Sequence, residues 1–156
     1  SEQNILDWKD EALLGGNYAG NYTLDGNSNS LGPKKITGNL TIQNGATFTV
    51  NGTIWVTGDM TVNNNATIKL SSSYGSSEGV IIVDGIVNIG NNSVFSGSGV
   101  SGSYLMVLST STSTSAITLS NNGGAVILYA ANGTVNLANN ANAKSLNLFI
   151  FLIIPK

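Results

Sequence analysis

The chain has 156 residues but no cysteine, no histidine and no arginine. Without cysteine it can form neither a disulfide nor a thiolate metal site, and without histidine it lacks the commonest general base at neutral pH. Charge is also scarce, because six lysines stand against eight acidic residues for a net charge of −2. This composition offers no basic field to nucleic acid or to an anionic membrane. We expect no cofactor, no metal site and no nucleic-acid partner.

Six related seven-residue segments recur along the chain. They begin at Tyr22, Leu40, Met60, Val87, Ile117 and Val135, which are 18, 20, 27, 30 and 18 residues apart. Self-similarity at a nearly fixed period is typical of a solenoid. With 41% apolar residues the chain is also apolar enough to fold as one domain.

Each segment alternates apolar and polar residues, which is the pattern of a strand with one buried face. Other apolar runs, such as Ile54-Trp55-Val56, precede the glycines at which the chain must turn. Two or three short strands per repeat predict an all-β fold, a right-handed parallel β-helix of about six coils over residues 17–156. Residues 1–16 precede it, and Asn4 to Leu14 reads as a short helix that we expect to cap the first coil.

Paired turn residues stand at the fifth and sixth positions of the repeats. Asparagine tolerates a left-handed backbone, and its amide can both donate and accept hydrogen bonds. Stacked on neighbouring coils, such amides can form a ladder. We interpret these residues as structural corners rather than a binding site: Asn44, Asn64, Asn65, Asn91, Asn92, Asn121, Asn122, Asn139 and Asn140.

Many parallel β-helices degrade polysaccharides with clustered carboxylates, so the coil acids are the candidate catalytic groups. Asp59 and Asp84 fall near the same corner of adjacent coils but are offset by two positions in the repeat. Neither arginine nor histidine is present to complete a site. We therefore predict that the protein is not an enzyme.

Two insertions interrupt the repeats, "SSSYGSSEG" at residues 71–79 and "SGSGVSGS" at residues 96–103. Both follow the strand after the asparagine corner, so they should project from the same edge of neighbouring coils. Loops on a rigid scaffold commonly carry recognition. Tyr74, Glu78 and Tyr104 are the candidate contact residues, with a glycan among the candidate ligands.

The C-terminal segment departs from the repeat. Its seven consecutive apolar residues are too few to span a membrane, so we expect no membrane span, and too apolar for an exposed strand. We expect burial in a final coil or in a contact with another copy: Leu148, Phe149, Ile150, Phe151, Leu152, Ile153 and Ile154.

The stretches "DWKDEALLGGNYAGNYTL", "LGPKKITGNLTI", "GTIWVTGDMTVNNNATIKL", "GVIIVDGIVNIGNNSVF" and "AVILYAANGTVNLANNA" resemble the extracellular β-helical region of bacterial type IV pilus assembly (PilX-like) proteins. The resemblance covers roughly residues 5–145. It implies a bacterial, extracellular or cell-surface structural domain whose partners are pilus or surface components. The portion "ITGNLTI…GTIWVTGDMTV" is more weakly similar to bactofilins, which implies filament formation.

The sequence therefore predicts a non-enzymatic surface scaffold, with adhesion or self-association as further roles. Two alternatives stay open at this point. One is a carbohydrate-binding or polysaccharide-degrading β-helix, and the other is a bactofilin-like filament.

Overall fold

The computed structural model describes residues 1–120 and 127–138. A single α-helix, α1 (Glu2–Leu13), opens this part of the chain, and a short 3-10 helix spans Ser72–Tyr74. Sixteen short strands follow α1. They are β1 (Asn17–Tyr18), β2 (Tyr22–Asp25), β3 (Ser28–Leu31), β4 (Lys34–Ile36), β5 (Leu40–Gln43), β6 (Thr47–Val50), β7 (Ile54–Val56), β8 (Met60–Val62), β9 (Thr67–Leu70), β10 (Gly79–Val83), β11 (Val87–Ile89), β12 (Val94–Ser96), β13 (Leu105–Ser109), β14 (Ile117–Leu119), β15 (Ile127–Ala130) and β16 (Val135–Leu137).

Successive strands enter three different parallel sheets. Sheet A has the order β1-β4-β7-β10-β13-β15, sheet B the order β2-β5-β8-β11-β14-β16, and sheet C the order β3-β6-β9-β12. Each turn of the chain thus adds one strand to sheet A and one to sheet B, and the first four turns add one to sheet C. This arrangement confirms the predicted parallel β-helix, in which each coil rises by about 4.8 Å.

The strand register aligns the six repeats. Leu40 lies beside Met60, and Val87 pairs with both Met60 and Ile117 on sheet B. Their side chains are fully buried, as is Phe48 on sheet C. Fully burying such a side chain contributes roughly 1.5–3 kcal/mol. The interior is therefore a continuous stack of apolar side chains that runs along the coils.

Helix α1 begins at Glu2, two residues before the predicted start, because Ser1 caps it: its hydroxyl accepts from the Asn4 N–H. The helix contacts β4, β7 and β10, so it covers the outer face of sheet A. This finding corrects our expectation that it caps the first coil. The physical reason is that Val80, Ile82 and Leu108 point outward from sheet A, where Ile5 and Trp8 pack over them.

Some predicted residues lie outside the described part of the chain. These are the corner residues Asn121, Asn122, Asn139 and Asn140, and the apolar residues 148–154. Within residues 1–120 and 127–138, no helix is long and apolar enough to cross a membrane.

Candidate functional site

The corner between sheets B and C is built from asparagines in the left-handed conformation. Asn44, Asn64 and Asn91 have φ of 57°, 54° and 52°, and Asn65 and Asn92 have φ of 63° and 61°. Asparagine is among the few non-glycine residues that occupy this region routinely. The described corners therefore match the structural interpretation of these residues.

The corner amides form a ladder along the coils. The amide nitrogen of Asn64 donates to Asn44 at 3.0 Å, and that of Asn91 donates to Asn64 at 3.1 Å. Asn92 donates to Asn65 at 3.2 Å in a second file. At the first coil the ladder starts on a carboxylate, because Asn44 donates to Asp25 at 2.8 Å. These bonds lower the pKa of the exposed Asp25 carboxyl, with Asn44 as the largest cause and Gln43 next.

A second ladder, which we did not predict, follows the corner between sheets A and B. The side-chain oxygen of Asn21 accepts the backbone N–H of Asn39 at 2.8 Å, and that of Asn39 accepts from Asp59 at 2.9 Å. Asp59 in turn accepts from the Ile86 N–H at 2.9 Å. Gly58 precedes Asp59 because a Cβ there would lie 2.2 Å from the Asn39 oxygen. The recurring Gly-Asn or Gly-Asp pair was the signal for this ladder.

Asp84 joins helix α1 to the coils. Its carboxylate accepts from Lys9 Nζ at 2.6 Å, from Trp55 Nε1 at 2.8 Å and from Thr110 Oγ1 at 3.0 Å. The Lys9 ammonium also lies 4.8 Å from the centre of the Trp55 ring. The carboxylate that we considered as a catalytic candidate therefore holds the helix against sheet A.

The third corner, between sheets C and A, varies in length. Its first two passages are short, at residues 32–33 and 51–53, and the next two are long, at residues 71–78 and 97–104. The long passages lie on each other as predicted: Ser103 Oγ donates to the Ser77 carbonyl at 2.8 Å, and Ser98 Oγ donates to the Gly75 carbonyl. The long passages therefore project beyond the short ones and form a wall beside the helix.

This wall and helix α1 enclose a groove of about 590 Å³, which we call the helix–loop groove. Trp8 and Glu11 line it from the helix, and Asn51 and Thr53 line it from the short corner. The insertion contributes Tyr74, Ser77 and Glu78. The structure thus brings the predicted residues Tyr74 and Glu78 together, whereas Tyr104 is not among the residues that line the groove.

Two side chains of the helix–loop groove are fixed by the fold. Thr53 is 7% exposed, and its hydroxyl donates to Glu11 Oε2 at 2.7 Å. Tyr74 packs against the interior cluster, and burial raises the pKa of its hydroxyl, with a smaller contribution from the charge of Glu11. Tyr74 therefore stays a neutral hydrogen-bond donor beside a carboxylate at neutral pH.

Sequence reasoning did not find Trp8, Glu11 or Thr53 as groove residues. Their side chains meet only because helix α1 docks on sheet A, and nothing in the repeat pattern gives that docking position. Among the described residues, no three His, Cys, Asp or Glu side chains are close enough to hold a metal ion.

Comparisons with protein-family models, with curated proteins and with solved structures found no match. The resemblances to PilX-like proteins and to bactofilins therefore stay predictions from the sequence.

Proposed function

We propose that this chain is a non-enzymatic structural scaffold at a bacterial cell surface, associated with pili or other surface components. The observation that carries the proposal is the pair of side-chain ladders along the coils. Asp25 and Asp59 accept hydrogen bonds from the next coil, and Asp84 holds the helix. These three coil carboxylates, which include the catalytic candidates Asp59 and Asp84, are thus engaged in holding the coils and the helix in place.

The geometry suits a rigid spacer. Every described strand pairs in parallel with a strand of a neighbouring coil, and the apolar interior is continuous from Tyr22 to Leu128. A solenoid of this kind keeps its length and shape because each coil is fixed by the coils on either side. The surface location and the pilus partner are supported by the sequence resemblance over residues 5–145.

Antibody labelling of intact source cells tests the location. We expect intact cells to bind an antibody against the folded chain, with a cytosolic protein as the control that is labelled only after lysis. Labelling that requires lysis would contradict the surface proposal. Release of reducing or unsaturated sugars from polysaccharides, lost on Asp59→Asn or Asp84→Asn, would contradict the non-enzymatic part.

A second candidate function, filament formation, is favoured by the open edge of the first coil. Strands β1, β2 and β3 each end their sheet, and helix α1 packs elsewhere. Exposed strand edges are templates for pairing with another chain. Tyr22 and Gly26 donate their backbone N–H groups to the second coil. Because successive N–H groups along a parallel strand point to opposite neighbours, the Thr23 N–H points to the open edge.

Substitution of Thr23 tests this candidate. Thr23→Pro removes an edge donor while the bonds of Tyr22 and Gly26 remain, and Thr23→Ser is the matched control. If copies join through this edge, electron microscopy should show filaments for the parent chain and for Thr23→Ser, but not for Thr23→Pro. Filaments of the proline variant, or none in any sample, would remove this candidate.

A further inference from the structure

We propose that the helix–loop groove is a binding site for a neutral, hydroxyl-rich ligand, and that an oligosaccharide without acidic groups is the class that fits it. The proposal does not rest on the scaffold function, because it depends only on the side chains that line the groove.

The size of the groove suits a ligand of several sugar rings. Its volume of about 590 Å³ lies within the roughly 300–1,000 Å³ of small-molecule sites. The groove exists because the corner at residues 51–53 is short whereas the passage at residues 71–78 is long. Its walls are a helix and a loop that are each anchored to the coils, so the site is formed before any ligand arrives.

Two aromatic side chains line the groove, Trp8 from the helix and Tyr74 from the insertion. Aromatic rings combine a large apolar face with a polar handle, which suits the C–H faces and hydroxyl groups of sugar rings. Within the described part of the chain, Trp55 donates its indole N–H to Asp84, whereas that of Trp8 makes no hydrogen bond. Trp8 therefore contributes an aromatic ring to the groove and an N–H that no described residue accepts.

Two of the polar side chains in the groove are carboxylates, which accept hydrogen bonds. Glu11 is held in place by the buried hydroxyl of Thr53, and Glu78 stands on the exposed insertion. Carboxylates accept hydrogen bonds strongly, and sugar hydroxyls are donors. Because Glu11 is already oriented, a ligand hydroxyl does not have to order it, which lowers the cost of binding.

The charge of the groove selects among ligand classes. Two carboxylates line it, and no lysine is among its described lining residues. Uronic acids and phosphates would meet unbalanced negative charge, so an anionic ligand is disfavoured. Calcium is also disfavoured, because it usually takes six to eight oxygen ligands and the described residues hold no cluster of three acidic side chains.

Isothermal titration calorimetry of the whole chain tests the proposal. The neutral probes are cellotetraose, tetra-N-acetylchitotetraose and maltotetraose, and the comparison probes are tetragalacturonate and calcium chloride. We expect at least one neutral tetrasaccharide to bind saturably, and we expect neither tetragalacturonate nor calcium to bind.

Two pairs of variants locate the site. Ser77→Trp fills the groove from an exposed position, and Ser101→Trp adds the same bulk to the other insertion, away from the groove. Glu11→Gln removes a charge but leaves an oxygen for Thr53, and Glu2→Gln is its control on the same helix. We expect Ser77→Trp to abolish binding and Glu11→Gln to weaken it by about tenfold, with both controls unchanged.

Three results would overturn the proposal. They are failure of every neutral probe to bind, binding that survives both Ser77→Trp and Glu11→Gln, and binding of calcium or tetragalacturonate in preference to the neutral probes. Thermal unfolding of each variant establishes that it is folded. If Ser77→Trp does not fold, Glu78→Gln replaces it, with the same weakening expected as for Glu11→Gln.

Discussion

The corner between sheets B and C keeps its residue type from coil to coil, whereas the corner between sheets C and A changes its length. The corner between sheets B and C repeats asparagine at the same place, so that Asn64 bonds to Asn44 and Asn91 bonds to Asn64. The corner between sheets C and A lengthens from two residues, 32–33, to eight residues, 71–78, within three coils. The corner between sheets B and C bonds one coil to the next, whereas the third corner, between sheets C and A, forms one side of the groove.

The difference has a simple physical basis. An amide ladder forms only when successive side chains lie one coil rise apart, so an insertion in that corner would remove two hydrogen bonds. At the third corner no such side-chain ladder joins all four described passages. An insertion there costs mainly loop-closure entropy, which grows slowly with length. A solenoid can therefore vary the corner between sheets C and A while keeping the amide ladder at the corner between sheets B and C.

The largest expected effect comes from breaking the interior that both corners enclose. Ile89 is 1% exposed, so Ile89→Asp loses roughly 1.5–3 kcal/mol of burial and places an unpaired charge in the core. We expect loss of cooperative thermal unfolding, measured by circular dichroism. Asn88→Asp, on the exposed side of the same strand, is the control and should keep it. A normal melting curve for Ile89→Asp would contradict the inward assignment.

A smaller effect should follow from interrupting the ladder. Asn64→Ala removes one bond given and one received, and it forces alanine to φ near 54°. We expect a loss of about 1–3 kcal/mol in the free energy of unfolding, measured by urea denaturation. Asn64→Gly should lose less, because glycine adopts this backbone freely.

The exposed Asn88 supplies the control for that substitution. Asn88→Ala should change the free energy of unfolding by less than about 0.5 kcal/mol. Equal losses for Asn64→Ala and Asn88→Ala would mean that the ladder adds nothing to stability.

The attachment of helix α1 can be weakened separately from the coils. Asp84→Asn removes the ion pair with the partly buried Lys9, and we expect a loss of about 1 kcal/mol. Hydrogen exchange should become faster in residues 2–13 while β5 and β8 keep their protection. Asp10→Asn, on the exposed side of the helix, is the matched control. Equal acceleration in both variants would contradict the anchoring role of Asp84.

The smallest expected effect is on the pH dependence of stability below pH 4. Hydrogen bonds from Asn44 and Gln43 hold the pKa of Asp25 below the ordinary value of 3.8 in the folded chain. Its contribution to stability is therefore complete above about pH 3.8 and is lost as the pH falls through the lower folded pKa. We expect the melting temperature of Asp25→Asn to depend less on pH below 4 than that of the parent chain. Parallel pH profiles would contradict the role of the carboxylate in the ladder.

Much of the fold could be predicted because the repeat places one kind of residue at one kind of position. Alternation from Leu40 to Ile42 fixed which side chains point inward, and Asn44 and Asn64 marked where the chain turns. These signals are local, and stacking multiplies them, so few long-range unknowns remained.

The helix position and the groove could not be predicted in this way. The run Val80-Ile81-Ile82-Val83 is apolar on both faces, which is typical of a strand covered on both sides. That run was the available signal that something covers sheet A, but it does not say which residues face the third corner. Glu11 and Thr53 meet across 42 positions of sequence, and no repeat pattern relates them.

The central claim is that the corner between sheets B and C stabilises the fold, whereas the corner between sheets C and A forms the binding site. Calorimetric titration of two variants with the neutral tetrasaccharides tests this claim most directly. At a temperature where both are folded, Asn64→Ala should bind as the parent chain does, although it is less stable. Ser77→Trp should not bind, although it is folded at that temperature. Loss of binding in Asn64→Ala, or full binding by Ser77→Trp, would contradict the account.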